Sequence, residues 1–313
     1  MSELEDDVAV LTAPSSVAFQ AIEFLDEMQA ELCTTINFHA FDSSNTRERL
    51  SETIRYSLGL RGKCVRGLLT LLVMAGWDRR WRCAMCCAKA VEMVHTASLI
   101  IDDLPSMDNA SLRRGEVTNH IKFGEPAAIL ASISLLSEAF KVLASSPFLD
   151  EEQQSLAVQC LAGSVGVNGM SSGQLRDMVP LGREISEVEL THALKTGMLF
   201  AAATELGCIA AKISGSQKLL LCEFGALLGS AFQEFDDLID VATDLKSTDK
   251  DTGKDSIKPT IVGIMGLENA EKRAIQQVRR ALDCLEMSGI QADQLRQFTL
   301  NLIRSMRTTI HSS

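Results

Sequence analysis

The chain has 313 residues, a formal charge of −11, a pI of about 5.0 and 46% hydrophobic residues. That length and apolar content support one large core or two small ones, and the acidity excludes general nucleic-acid binding, which needs a basic footprint. Six prolines, one tyrosine and scarce β-branched alternation favour helices over strands, so an all-α fold is expected.

Residues 1–14 read as a flexible tail and 15–313 as one domain. The opening Met-Ser-Glu-Leu-Glu-Asp-Asp is acidic, unlike a secretory signal or a transit peptide, and no apolar run is read as reaching the roughly 18 to 20 residues of a membrane span. A cytoplasmic protein with no transmembrane segment is the expectation. Phe19, Ile22, Phe24, Leu25 and Met28 form an apolar face that predicts a helix over 15–34, and Asn45 is placed to cap a second over 45–57. Residues 64–75 are strongly apolar. A long helix over 81–103 ends ahead of Pro105, which disfavours helix at the residue before it. Further helices are predicted over 126–145, 151–172, 186–212, 217–245, 268–287 and 291–309, joined by short segments with Gly, Pro, Ser or Asp. The central helices are apolar nearly all round and should be wrapped by others. Nine cysteines fall mostly in these apolar stretches. Cys83, Cys86 and Cys87 lack the second ligand pair that a zinc site requires, so reduced, structural thiols are expected.

Two acidic clusters interrupt this apolar pattern. The first, L-I-I-D-D-L-P-S-M-D, carries Asp102, Asp103 and Asp108; the second, F-Q-E-F-D-D-L-I-D, carries Asp236, Asp237 and Asp240. Carboxylates crowded among Leu, Ile, Met and Phe repel one another, so either a pKa rises or a cation joins them. Gln233, Asp236, Asp237, Asp240 and Asp244 recur at three- or four-residue spacing, which aligns most of them on one side of a helix. Asp102 and Asp103 end the series Glu92, His95, Leu99, near a helix C-terminus whose dipole already disfavours negative charge. Beyond Pro105 the chain must turn for Asp108 to rejoin them. Mg²⁺ suits such a set, because it prefers hard oxygen ligands and shares its shell with substrate phosphates. Basic residues supply the opposite sign: Lys63 and Arg66, Arg113 and Arg114, Lys195, and Lys254 and Lys258. Metals on one side and fixed cations on the other describe a diphosphate pocket, gripped bidentately by guanidiniums and by ammoniums as point charges.

The run V-H-T-A-S-L-I-I-D-D-L-P-S-M-D-N-A-S-L-R-R-G, the motif F-Q-E-F-D-D-L-I-D, H-A-L-K-T-G, and G-Q-L-R-D (Gly173, Gln174, Asp177) occur in one order between about residues 55 and 265. In this the chain resembles the short-chain trans-isoprenyl diphosphate synthases, and most of all the geranylgeranyl diphosphate synthases. The resemblance implies a single-domain helical bundle around a central cavity, a homodimer, and head-to-tail condensation of isopentenyl diphosphate with an allylic diphosphate. It implies that Asp102, Asp103, Asp108, Asp236, Asp237 and Asp240 hold Mg²⁺, three ions per active site, against the allylic diphosphate. Arg113, Lys195 and Lys254 are then expected to grip that diphosphate, with Lys258 beside them. Lys63, Arg66, His95 and Arg114 take the diphosphate of isopentenyl diphosphate, and Thr196 and Gln233 face the reacting carbons.

The chain departs from the pattern in places. Many relatives carry G-K-R-x-R-P where this chain has Gly62-Lys63-Cys64-Val65-Arg66-Gly67, so Cys64 removes one phosphate contact. From Asp244 to Lys258 the alignment is loose, and Lys250 competes with Lys254 for its role. Product length is expected to follow from Ala97 and Ser98, five and four residues before Asp102. Both are small where fifteen-carbon enzymes commonly carry an aromatic. One helical turn of about 5.4 Å matches one isoprene unit, so a twenty-carbon product is predicted; the alternative is that the two residues serve close helix packing. Rival readings are a farnesyl or longer-chain synthase, a class I terpene cyclase, and a regulatory synthase subunit, for which Cys83 and Cys87 in C-x-x-x-C spacing are a hint.

Overall fold

The computed structural model describes residues 26–34, 48–60, 62–78, 80–244 and 259–312. The predicted start of the first helix, the Asn45 cap and the 1–14 tail lie outside these residues. Within them the chain is all-α apart from one small hairpin, Leu112–Arg113 (β1) against Glu116–Val117 (β2), and it divides into two compact units.

The first unit, Phe24–Ala162 with Leu206–Ile213, contains the helical residues 26–34, α1 (Glu48–Gly59), α2 (Val65–Trp77), α3 (Met85–Asp102), α4 (Asn119–Phe123), α5 (Glu125–Ala144) and most of α6 (Glu151–Val165). As its all-round apolarity predicts, α3 is wrapped, packing on α2 and α5 with Val91, Met93, Val94 and Ala97 buried. Two glycines set this packing. A Cβ on Gly67 would strike Leu32 Cδ2 at 2.5 Å, and one on Gly207 would strike the Thr70 carbonyl at 2.7 Å. α5 starts with Glu125 and Pro126, which suit the first turn.

The second unit, Gly163–Glu205 with Ser214–Ser313, contains α7 (Met170–Met178), α8 (Ile185–His192), α10 (Gly215–Asp244), α11 (Ile261–Met265), α12 (Leu267–Met287) and α13 (Asp293–Ser312), with α9 (Met198–Ala211) beginning in it. α12 and α13 pack on α10. Ala270, Ala274, Ile275, Val278, Ala281, Leu282 and Leu285 recur at helical spacing and form the buried stripe of α12. Phe224 and Phe235 of α10 are fully buried, each stabilising the fold by roughly 1.5–3 kcal/mol.

Three sequence expectations are corrected. The helix predicted over 151–172 stops at Val165 and restarts as α7, because Gly169 closes a turn so tight that a Cβ there would meet the Ser164 carbonyl at 2.1 Å. The helix predicted over 186–212 is continuous as Ile185–Ala211 but contains a π-helical turn, Ala193–Gly197. Finally, Trp81–Asp102, Glu125–Ala144 and Ile185–Ala211 are each long and apolar enough to cross a membrane. Counting uninterrupted runs missed them, since Lys89 and Glu92 break the first and His192 and Lys195 the third. The first and third are 72% and 67% buried within the protein, whereas Glu125–Ala144 is only 33% buried. All nine cysteines are described, and none is in a disulfide.

Candidate active site

The first acidic cluster is built by the end of α3. Asp102 is its last residue and Asp103 its C-cap. The loop after Pro105 doubles back, and the Asp108 N–H donates to the Asp102 carbonyl at 2.9 Å, which is the turn that the sequence required. Asn109, with a φ of 51°, completes it through an N–H bond of 3.0 Å to the Leu104 carbonyl. Asp103 is 3% exposed and accepts from Arg113 Nε at 2.9 Å and Nη2 at 2.5 Å. Arg113 is thus the cation that offsets the helix C-terminus locally. The hairpin aims it there. Arg114 and Gly115 have φ of 54° and 81°, the two positive values of a two-residue turn that matches strand twist.

Beside this lies a cationic group. Arg114 Nη1 donates to the Leu60 carbonyl at 2.7 Å, and its guanidinium rests on Gly62, where a Cβ would lie 2.5 Å from it. Arg66 is buried one residue before Gly67, whose N–H donates to Glu92 Oε1 at 2.7 Å. Burial raises the Glu92 pKa, against the pull of the Gly67 N–H, Arg66 and Arg114. His95 stands one turn from Glu92. Burial first, and then Arg66, Arg114 and Arg113, hold it well below its ordinary value, so it is neutral near pH 7. Lys63 is exposed at the edge of the group. Arg66, Arg114 and Arg113 thus all act electrostatically on His95, with Arg113 also paired to Asp103. A cavity of about 460 Å³ adjoins this group, with Glu92, Thr96 and Arg114 in its wall.

Ala97 is 1% exposed, and its carbonyl accepts from Ser132 Oγ of α5 at 3.0 Å. Ser98 is half-buried, with its hydroxyl donating to the His95 carbonyl at 2.9 Å. Ala97 is therefore engaged in helix contact while Ser98 keeps an open side.

In the second unit, α10 carries Asp237 buried, Asp236 half-buried and Asp240 exposed. A relay ties this helix to the π turn. Thr196 Oγ1 donates to Gln233 Oε1 at 2.7 Å, and Gln233 Nε2 donates to Asp237 Oδ1 at 3.1 Å. Lys195 Nζ lies 2.8 Å from Asp177 Oδ2 of α7. π-helical insertions redirect side chains, and this one presents Lys195 and Thr196 on adjacent faces. Two glycine contacts hold it. A Cβ on Gly173 would meet the Lys195 backbone N at 2.2 Å, and one on Gly229 would meet Gly197 Cα at 2.8 Å. Behind α10, Arg273 bonds buried Glu234 at 3.0 Å and Glu189 at 2.7 Å; burial raises the Glu234 pKa despite this pair.

Sequence reasoning assigned no role to His192, whose Nε2 is 3.3 Å from Asp237 Oδ2, or to the Gln174 amide, which is buried without a hydrogen-bond partner. His192 stands one turn before Lys195 within H-A-L-K-T-G, a spacing that marks the same face. Lys250, Lys254 and Lys258 lie outside the described residues, as does the side chain of Asp244.

Among the described residues no three His, Cys, Asp or Glu side chains converge into a ready-made metal cage. Like charges diverge until a cation joins them. The donor set nonetheless fits a divalent ion. It offers hard carboxylate oxygens, and buried Asp237 Oδ2 makes no hydrogen bond, with only His192 Nε2 at 3.3 Å to offset its burial, which leaves it suited to a cation.

Comparison with known proteins identifies the family. The polyprenyl synthetase family matches residues 47–294. A geranylgeranyl diphosphate synthase of Pseudescherichia vulneris is 40% identical over 82% of this chain and 83% of its own. A farnesyl diphosphate synthase of Haemophilus influenzae is 37% identical over 84% of this chain and 92% of its own. The crystal structure of an FPP/GFPP synthase from Zymomonas mobilis shares the fold with a TM-score of 0.81 at 29% identity, covering 90% of this chain and 98% of that one. With one aspartate cluster at the end of α3 and the loop after it, the other on α10, and a family match across both, the chain belongs to the polyprenyl synthetase family and is an all-α trans-prenyltransferase.

Proposed function

We propose that this chain condenses isopentenyl diphosphate with an allylic diphosphate, head to tail, to give geranylgeranyl diphosphate. The observation that carries the reading is the pairing of two intact aspartate clusters with a separate cationic group, because two diphosphates must be held differently. Asp102, Asp103 and Asp108, and Asp236, Asp237 and Asp240, are the carboxylates that would hold Mg²⁺, three ions by family resemblance, for the allylic diphosphate. When bound, the metal draws electron density toward the leaving oxygen. Arg113, Lys195 and Lys254 assist at that diphosphate, with Lys250 the alternative to Lys254 and Lys258 nearby. Arg66, Arg114, Lys63 and neutral His95 orient isopentenyl diphosphate, whose double bond attacks the allylic carbon. The Thr196–Gln233 pair presents oxygen dipoles to the developing cation, and the departing diphosphate takes the proton. The reaction requires that water, which would quench the cation, be excluded.

The twenty-carbon product rests on small residues at Ala97 and Ser98, and on a geranylgeranyl synthase among the relatives. The farnesyl synthase relative supports fifteen carbons as the second reading. A homodimer fits α5, whose outer face exposes Ile129, Leu130 and Ile133.

The test is product analysis of the purified chain with dimethylallyl and isopentenyl diphosphates and Mg²⁺. Geranylgeranyl diphosphate is expected, and chelation should abolish turnover. Asp102→Ala and Asp236→Ala should each lower kcat by at least about 100-fold. Turnover without isopentenyl diphosphate, or near-normal rates in either variant, refutes the reading.

A further inference from the structure

Cys64 stands where many relatives carry arginine, and the structure gives it a partner. Cys33 comes from the helical residues 26–34 and Cys64 from the N-cap of α2, 31 residues on, and their Sγ atoms are 3.4 Å apart. Cys64 takes up this position in the left-handed region, with φ 47° and ψ 39°, which residues other than glycine rarely adopt. A disulfide needs sulfurs about 2.05 Å apart, so a closing movement of about 1.4 Å shared by two side chains forms one. Both cysteines are half-buried and line the cavity of about 460 Å³, which gives a small oxidant access.

We propose that Cys33 and Cys64 are a reversible redox pair, oxidised to a disulfide by a low-molecular-weight disulfide of the glutathione type. The Cys33 thiolate attacks one sulfur of the oxidant, forming a mixed disulfide and releasing one small thiol. The Cys64 sulfur then attacks Cys33 Sγ and expels the second. Two cysteine thiols lose two electrons, the oxidant becomes two thiols, and those carry away both protons. The two roles are interchangeable, because either sulfur can be the donor in the contact between them.

The bond ties residues 26–34 to the segment bearing Lys63 and Arg66. That segment is otherwise held by Arg114 on Gly62 and by a 3.4 Å bond from Gln29 Nε2 to the Gly62 carbonyl. If those cations bind isopentenyl diphosphate, as proposed above, oxidation raises the KM for that substrate severalfold. This consequence rests on the proposed function, but the bond itself does not.

The experiment equilibrates the full chain with glutathione disulfide, then alkylates and digests it. The mass should fall by about 2 Da, and the tryptic fragment 1–47 should be linked to Cys64-Val65-Arg66. Dithiothreitol should reverse the link, and Cys33→Ser and Cys64→Ser should each abolish it. Closing a loop of this length should raise the Tm of the wild type by about 5 °C, and of neither variant. If both cysteines stay alkylatable, or end as two separate glutathione adducts, the pair is refuted. A formed bond with an unchanged KM for isopentenyl diphosphate overturns the regulatory consequence alone.

Discussion

Gly173→Ala isolates the contact that positions Lys195. The added Cβ would lie 2.2 Å from the Lys195 backbone N and 2.5 Å from its Cα, against an ordinary contact of 3.4 Å or more. Neither neighbour is the end of a flexible side chain, so helix α7 or the π turn must move by about 1 Å. Alanine gains about 0.5–1 kcal/mol over glycine in a helix, whereas overpacking of this kind costs about 1–3 kcal/mol. The net loss is therefore at most about 2.5 kcal/mol, or about 4 °C in Tm for a chain of this length. The same shift draws Lys195 and Thr196 off their partners Asp177 and Gln233. A misplacement of about 1 Å at a reacting centre costs on the order of 100-fold in rate. The control is Gly163→Ala. That position lies within α6 with nothing inside 4 Å of a Cβ, so the substitution should stabilise by up to about 1 kcal/mol and leave turnover unchanged. Thermal melts and steady-state kinetics on both variants decide the matter. If Gly173→Ala melts and turns over like the wild type, the close approach of α7 to the π turn is wrong.

Three further outcomes can be measured. His95 has its folded pKa lowered, so the unfolded chain binds a proton that the folded one resists, and stability falls as pH drops below the ordinary value of 6.5. His95→Gln should flatten that loss below pH 6.5 in denaturant titrations; an unchanged slope contradicts it. His192→Asn should raise the Mg²⁺ concentration for half-maximal rate about 10- to 100-fold if His192 steadies Asp237, with little change in saturating kcat. Equal Mg²⁺ dependence would remove His192 from that role. Ser98→Phe should shorten the product to fifteen carbons or fewer without loss of Tm, whereas Ala97→Phe should also destabilise by about 1–3 kcal/mol because Ala97 is packed at α5. Unaltered products from both defeat the depth argument.

Much of the fold was legible because its signals are local. Helical periodicity marked α3, α5, α10, α12 and α13 to within a few residues, and Pro105 required the turn that brings Asp108 back to Asp102. The errors have local causes too. Gly166 and Gly169 lie in a stretch whose average composition is still helical, so the break before α7 went unseen. The π turn leaves no composition signature, because one inserted residue changes no side-chain type. Membrane-length helices escaped because isolated charges interrupt runs without lowering the average hydropathy.

The sequence by itself determined the all-α class and the two acidic clusters, since residue type and short-range spacing suffice for these. Only the tertiary structure decided that Asp103 turns into Arg113, that His192 approaches Asp237, that Gly173 seats α7 on Lys195, and that Cys33 meets Cys64. Each of these joins residues at least ten positions apart. Helical periodicity fixes which face a side chain shares with its near neighbours, whereas the partner across that face depends on how whole helices pack.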